Sequence, residues 1–71
     1  MNTYKMRYIH GPQEHLISLH EHEVKAESVK EALRLKSAWP IHLNMYNNCG
    51  WAQKPGNSIY YIEAWEAEQV V

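Results

Sequence analysis

The pattern of apolar and polar side chains predicts several β-strands. In the segment 3–9, Tyr4, Met6 and Tyr8 alternate with charged or polar residues. A period of two residues is typical of a strand that buries one face and exposes the other. Alternation, or a high content of aromatic and β-branched residues, predicts further strands at 15–26, 41–46 and 58–66.

One of these strands has a break in its pattern. In the segment 15–26, the apolar side chains near the start do not keep one phase with Val24 and Ala26 near the end. A β-bulge adds one residue to a strand and so shifts the phase of the side chains that follow it. We therefore expect a bulge or a break near Glu21.

A helix is predicted to begin at Ser28. Ser28 is followed three residues later by Glu31, which is the spacing of a capping box, in which each side chain binds the backbone amide of the other residue. Apolar residues then recur at helical spacing from Val29 to Trp39. Because Pro40 disfavours the helical conformation at the residue before it, we expect the helix to end by about Trp39.

These elements predict an α+β fold in which one α-helix packs on a three- to four-stranded antiparallel sheet. The segments 47–50 and 54–58 are rich in turn residues and are predicted to be irregular. The 71 residues are expected to form a single small domain, 1–71. A domain of this size buries roughly 60% of its unfolded surface, which leaves little room for an internal substrate cleft.

Composition and charge restrict the partners and the compartment. The net charge of −1 gives no general attraction to nucleic acid or to an anionic membrane, which argues against direct binding of either. No segment is apolar enough to span a bilayer, so no membrane association is expected. The single cysteine, Cys49, cannot form a disulfide within the chain, and this favours a cytoplasmic location.

The histidines and the cysteine are the candidates for metal binding or catalysis. His20 and His22 are two residues apart on a predicted strand and would project from the same face, and His42 and Cys49 could complete a tetrahedral site. Solvated histidines explain the same spacing, because metal sites normally show tight paired ligands. We therefore predict no metal, no cofactor and no catalytic residues, and we rank a thiol or metal enzyme last.

The aromatic residues are the strongest indication of a binding role. The chain has five Tyr, three Trp and no Phe, so every aromatic side chain carries a polar group, as is common at protein interfaces. Trp51 lies in a segment rich in Gly and Pro, and Tyr60 and Tyr61 are adjacent. We expect some of these rings to face outward, although Trp51 could instead fold back over the sheet.

The segment Glu23–Trp39, EVKAESVKEALRLKSAW, resembles a pattern found in small bacteriophage proteins. In that pattern a strand is followed by a Ser or Thr cap, by Glu-Ala-Leu on a short helix and by a returning strand. The RNA polymerase inhibitor of podophages and several type I anti-CRISPR proteins have this layout. The resemblance implies a phage-encoded, non-enzymatic inhibitor that blocks a host complex in the bacterial cytoplasm, and it carries no binding residues over to this chain.

The predicted function is therefore that of an anti-CRISPR-like, protein-binding inhibitor, with a CRISPR effector or RNA polymerase as the bacterial target. Its predicted partner-binding residues are three aromatic anchors and two carboxylates that would pair with basic residues of a nucleic-acid channel. They are Trp51, Tyr60, Trp65, Glu63 and Glu66.

Two alternatives remain open at this point. The chain could be a small nucleic-acid-binding module that uses four basic residues, namely Lys5, Arg7, Lys30 and Arg34. It could also form a homodimer if the strand 3–9 or the strand 58–66 lies at the edge of the sheet and pairs with its copy.

Overall fold

The computed structural model describes residues 1–56 and 60–70 of the chain. These residues form an α+β fold with one helix and one five-stranded antiparallel sheet, whose strand order is β2-β1-β5-β4-β3. The elements are β1 (Asn2–Gly11), β2 (Ile17–Ala26), α1 (Val29–Arg34), β3 (Ile41–Leu43), β4 (Cys49–Gln53) and β5 (Ile62–Val70).

The prediction of three to four strands was wrong, because the sheet has five. The additional strand is β4, in a segment that the turn residues Asn47, Asn48 and Gly50 led us to expect as irregular. Gly50 is in fact needed inside the strand, since a Cβ atom there would lie 2.5 Å from the carbonyl oxygen of His42 on β3. A glycine in a strand often marks such a close approach of two backbones.

The last strand begins later than expected. β5 starts at Ile62 and continues to Val70, whereas the sequence predicted a strand over 58–66. Ser58, where the predicted strand begins, lies outside the described residues. In the sheet, β1 and β5 both have two neighbouring strands. The expectation that one of them forms a free edge was therefore wrong, and the edge strands are β2 and β3.

The helix begins as predicted and ends early. The Ser28 side chain accepts a hydrogen bond of 3.1 Å from the amide of Glu31, whereas the Glu31 carboxylate accepts from the amide of Glu27 rather than from Ser28. The helix ends at Arg34, about one turn before Trp39, and the Arg34 guanidinium donates to the Trp39 carbonyl at 2.8 Å. This early end allows Trp39 to pack against the core.

The core lies between α1 and the central strands. Its largest fully buried side chains are Tyr4 and Met6 from β1 and Val29 and Leu33 from α1. Buried alanines of β2, α1, β4 and β5 complete the cluster, and small side chains on the sheet allow the helix to lie close to it.

The predicted irregularity in β2 is confirmed as a β-bulge. Met6 pairs with His22 and Tyr8 pairs with Leu19, so Arg7 lies opposite two residues, His20 and Glu21. His20 has a φ of 55°, which a residue with a side chain adopts only at a cost. Because of the bulge, Leu19 and Val24 both lie on the helix side of the sheet, although their numbers differ by five.

Candidate functional site

The helix covers only part of its face of the sheet. α1 has six residues and is about 9 Å long, whereas the ten residues of β1 extend about 33 Å. The helix packs over Tyr4 and Met6 near the start of β1. The other end of the same face is left open, and there Ile17 and Leu19 of β2 are 45% and 43% exposed.

This open end carries a contiguous aromatic surface. The Tyr8 ring lies 5.6 Å from the ring of His10 and 5.5 Å from that of Trp65, and the His10 ring lies 6.3 Å from that of Tyr61. Tyr8 and His10 are paired across the strands with Leu19 and Ile17. We call this surface the aromatic patch, and its members are Tyr8, His10, Ile17, Leu19, Tyr61 and Trp65.

Hydrogen bonds hold the middle of the aromatic patch in place. The Tyr8 hydroxyl donates to Oε1 of Glu63 at 2.8 Å, and the other carboxylate oxygen of Glu63 lies 3.2 Å from Nζ of Lys54. Nδ1 of His10 lies 3.1 Å from the hydroxyl of Tyr61. Burial, together with the hydrogen bond and the negative charge of Glu63, raises the pKa of Tyr8 to about 12. Tyr8 therefore remains a neutral donor at any physiological pH.

Trp65 forms the end of the aromatic patch nearest the helix. Nζ of Lys36 lies 5.6 Å from the centre of the Trp65 ring, in a cation–π contact, and the His22 ring meets it edge-on at 6.1 Å. Since Nδ1 of His22 lies 2.6 Å from the carbonyl of His20, this nitrogen carries the proton. Nε2 of His22 is buried against this end of the aromatic patch and has no hydrogen-bond partner among the residues that the structure describes.

The five predicted binding residues do not lie on one surface. Trp65 belongs to the aromatic patch, and Glu63 lies beside the patch on the same face, since it pairs across the strands with His10 and accepts a hydrogen bond from Tyr8. Tyr60 is 78% exposed in the loop before β5, where it lines a shallow depression with residues 12–14. Trp51 and Glu66 are cross-strand partners on the opposite face of the sheet.

The opposite face carries four charged side chains that are paired with one another. Nη1 of Arg7 lies 3.3 Å from Glu66, and Glu21 lies 3.2 Å from Nζ of Lys5 and 3.9 Å from Nε of Arg7. Trp51 stacks on His42 at 5.3 Å. The Glu66 carboxylate, which we predicted to pair with a partner, is thus already bound within the chain.

Sequence reasoning missed most of the aromatic patch. The sequence places Tyr8 only on the apolar face of its strand, and it indicates no role for His10, Ile17 or Leu19. The usable signal was the phase shift in β2, because it implies that Leu19 faces the same side as Val24. The helix length gave no such signal, because the sequence predicts a helix to about Trp39 and the helix ends at Arg34.

The described residues show no group of three or more His, Cys, Asp or Glu side chains that could hold a metal ion. No helix among them is long and apolar enough to cross a membrane. Comparison with models of protein families, with curated proteins and with solved structures finds no match to this chain. The aromatic patch is therefore interpreted from its own geometry.

Proposed function

We propose that this protein is a non-enzymatic inhibitor that binds a bacterial host complex through the aromatic patch and acts by covering part of that complex. The observation that supports the proposal is the uncovered end of the sheet, where three exposed side chains lie beside three half-buried rings. The exposed side chains are Ile17, Leu19 and Tyr61, and the half-buried rings are Tyr8, His10 and Trp65. Exposed apolar surface of this kind is characteristic of interaction sites.

The chemistry of the aromatic patch suits a protein partner. Tyr and Trp side chains provide large contact areas at a low cost in conformational entropy, and they are enriched among the residues that dominate binding energy. Tyr8 and Tyr61 are already oriented by Glu63 and His10, so the loss of side-chain conformational entropy on binding should be small. Lys36 lies at the margin of the patch formed by Trp65 and can meet a carboxylate of the partner.

The type of target comes from the resemblance to phage inhibitors. Such proteins act in the cytoplasm of the infected cell, and a CRISPR effector or RNA polymerase is the proposed complex. A protein surface, rather than nucleic acid, is the proposed contact because Lys5 and Arg7 are engaged by Glu21 and Glu66. Neutralised cations contribute little to phosphate binding.

A capture experiment with matched variants tests the proposal. Tagged protein is incubated with bacterial lysate, and the retained proteins are identified by mass spectrometry before and after nuclease treatment. One stoichiometric protein complex should be retained by the unaltered chain. Tyr61→Ala and Leu19→Ala should each weaken its retention by about tenfold or more, which corresponds to about 1.4 kcal/mol or more of binding free energy.

Trp51→Ala is the control variant, because Trp51 is 40% exposed, nearly as exposed as Tyr61 and Leu19, and lies on the opposite face. Retention should be unchanged by this substitution. The proposed surface is refuted if Trp51→Ala abolishes retention while Tyr61→Ala does not. Capture of nucleic acid alone, or of no stoichiometric complex, would refute the proposed function itself.

A further inference from the structure

The hairpin formed by β3 and β4 carries no charge. The segment 37–53, which contains the hairpin, has no Asp, Glu, Lys or Arg, and no other stretch of the chain without these residues is as long. In the loop at its end, Met45 is 84% exposed and Tyr46 is 75% exposed. Charged residues are depleted at the centres of protein interfaces, where Tyr, Trp and Met are enriched. The exposed loop therefore has the composition of an interface.

Hydrogen bonds fix the conformation of this loop. Oδ1 of Asn44 accepts from the amides of Asn48 and Cys49 at 3.1 and 3.3 Å, and Nδ2 of Asn44 donates to Oδ1 of Asn48 at 2.6 Å. The amide of Asn47 donates to the carbonyl of Asn44 at 3.1 Å. The amide of Gln69 on β5 donates to the carbonyl of Asn48 at 2.7 Å. Since the loop is already ordered with its apolar side chains exposed, little backbone entropy has to be lost on binding.

Leu43 connects this loop with the helix side of the sheet. Residues directly opposite each other in neighbouring strands have their side chains on the same face. Leu43 pairs with Gly50, which pairs with Ala67. Ala67 pairs in turn with Met6, which lies beneath the helix. Leu43, which is 41% exposed, therefore lies on the side that carries the aromatic patch. We call Leu43, Met45 and Tyr46 the hairpin tip.

The hairpin tip lies at the other end of the sheet from the aromatic patch. Asn48, at the base of the loop, is bonded to Gln69, which pairs with Tyr4, whereas the patch begins further along β1 at Tyr8. The molecule measures 35 × 21 × 20 Å. A protein interface of standard size takes about 800 Å² from each partner, which is about 28 Å across. One partner can therefore contact both surfaces.

The aromatic patch alone is small for a specific interface. Such interfaces use about 20–30 residues on each side, whereas the patch has six, of which three are half-buried. An inhibitor that acts by covering its target needs further contacts. Between the two surfaces, the exposed residues of α1 are the charged side chains Lys30, Glu31 and Arg34, so the uncharged hairpin tip fits the centre of a second contact better than the helix does.

We propose that the hairpin tip is a second contact with the host complex and that Met45 and Tyr46 enter an uncharged, apolar recess of a protein subunit. The inference rests on the proposed function, because the complex is the one bound by the aromatic patch. The partner then lies against the helix side and spans α1. A nucleic-acid backbone does not fit the tip, because phosphate binding requires cations and the segment 37–53 has no Lys or Arg.

The double variant Met45→Ser with Tyr46→Ser tests the proposal. The complex retained from bacterial lysate is measured at several concentrations of immobilised protein, so that apparent Kd values can be compared. The double variant should bind at least about tenfold more weakly. Its thermal unfolding should match that of the unaltered chain, because both side chains are exposed. Trp51→Ala is the control, since Trp51 lies in the same hairpin on the face away from the helix, and its Kd should not change.

Oxidation of methionine tests the contact directly. Met45 and Met1 are 84% and 82% exposed, so hydrogen peroxide should convert both to the sulfoxide at similar rates in the free protein. Met1 precedes Asn2, which pairs with β2 at the opposite edge of the sheet from β3. In the captured complex, Met45 should lose most of its reactivity relative to Met1, as measured by mass spectrometry.

The outcomes separate this contact from the proposed function. Equal affinities of the double variant and the unaltered chain would overturn the inference and leave the proposed function intact. The same conclusion follows if the ratio of the oxidation rates of Met45 and Met1 is unchanged in the complex. If the unaltered chain retains no stoichiometric complex, the proposed function fails and the second contact fails with it.

Discussion

Gly50 is a position where the structure strictly limits the type of residue. A Cβ atom at Gly50 would lie 2.5 Å from the carbonyl oxygen of His42 and 2.8 Å from Cδ2 of Leu43. The Leu43 side chain can rotate away, but the His42 oxygen belongs to the backbone of the paired strand β3. Unlike Gly11 and Gly56, Gly50 does not have a positive φ, so the contact alone determines the effect of a substitution.

Gly50→Ala should therefore destabilise the protein. Overpacking of a close contact costs about 1–3 kcal/mol, and a contact with backbone belongs at the upper end of that range. The lower chain entropy of alanine offsets about 0.5–1 kcal/mol of this cost. The net loss of unfolding free energy should be about 2 kcal/mol, which corresponds to a decrease in Tm of about 8–16 °C.

Urea denaturation followed by tryptophan fluorescence measures this loss, because Trp51 is the next residue on β4. Gly56→Ala is the control, since a Cβ atom there meets nothing within 4 Å and only its φ of 82° opposes the substitution. That variant should lose about 1 kcal/mol. A Gly50→Ala protein as stable as the unaltered chain would show that β3 and β4 do not approach as closely as described.

Three further predictions concern stability. The pKa of Tyr8 is raised to about 12 from an ordinary value of 10.0, so the folded protein keeps a proton that the unfolded chain loses. The resulting stabilisation of the folded state is complete below pH 10 and is lost as the pH rises to 12. Because solvent near the half-buried ring weakens this effect, the unfolding free energy should decrease by about 1 kcal/mol across this pH range. This decrease should be absent in Tyr8→Phe when the unfolding free energies of the two proteins are compared. Ser28→Ala removes the bond to the Glu31 amide and should cost about 1 kcal/mol in urea denaturation, whereas Lys30→Ala on the exposed side of the helix should cost little. Deletion of His20 should leave stability unchanged or raise it by up to about 1 kcal/mol, since it removes the positive φ, and a large loss of Tm would contradict the bulge.

The elements with strong local signals were predictable from the sequence. The alternation in β1 and the Ser28 cap are properties of a few neighbouring residues, and both were found where expected. β4 was not predictable in this way, because its sequence CGWAQ contains no β-branched residue and its pairing with β5 is a contact between distant segments. The early end of the helix likewise depends on where Trp39 packs.

The candidate site was predicted by residue type but not by surface. Aromatic residues were correctly expected on the outside, as the exposure of Tyr60 and Trp51 shows. However, Trp65 and Glu66 are adjacent on one strand, and adjacent side chains point to opposite faces. They could not belong to one binding face, and the alternation rule that located the strands would have separated them. How much of the helix side of the sheet remained uncovered depended on the length of the helix.

The bulge at His20 lies within the strand that carries Ile17 and Leu19 of the aromatic patch. Without the extra residue, Met6 would still pair with His22 and Tyr8 with Leu19, so deletion of His20 keeps Leu19 on the helix side and preserves the aromatic patch. A chain lacking His20 should therefore capture the same complex as the unaltered chain. Loss of capture by a folded variant would show that the patch depends on the bulge itself.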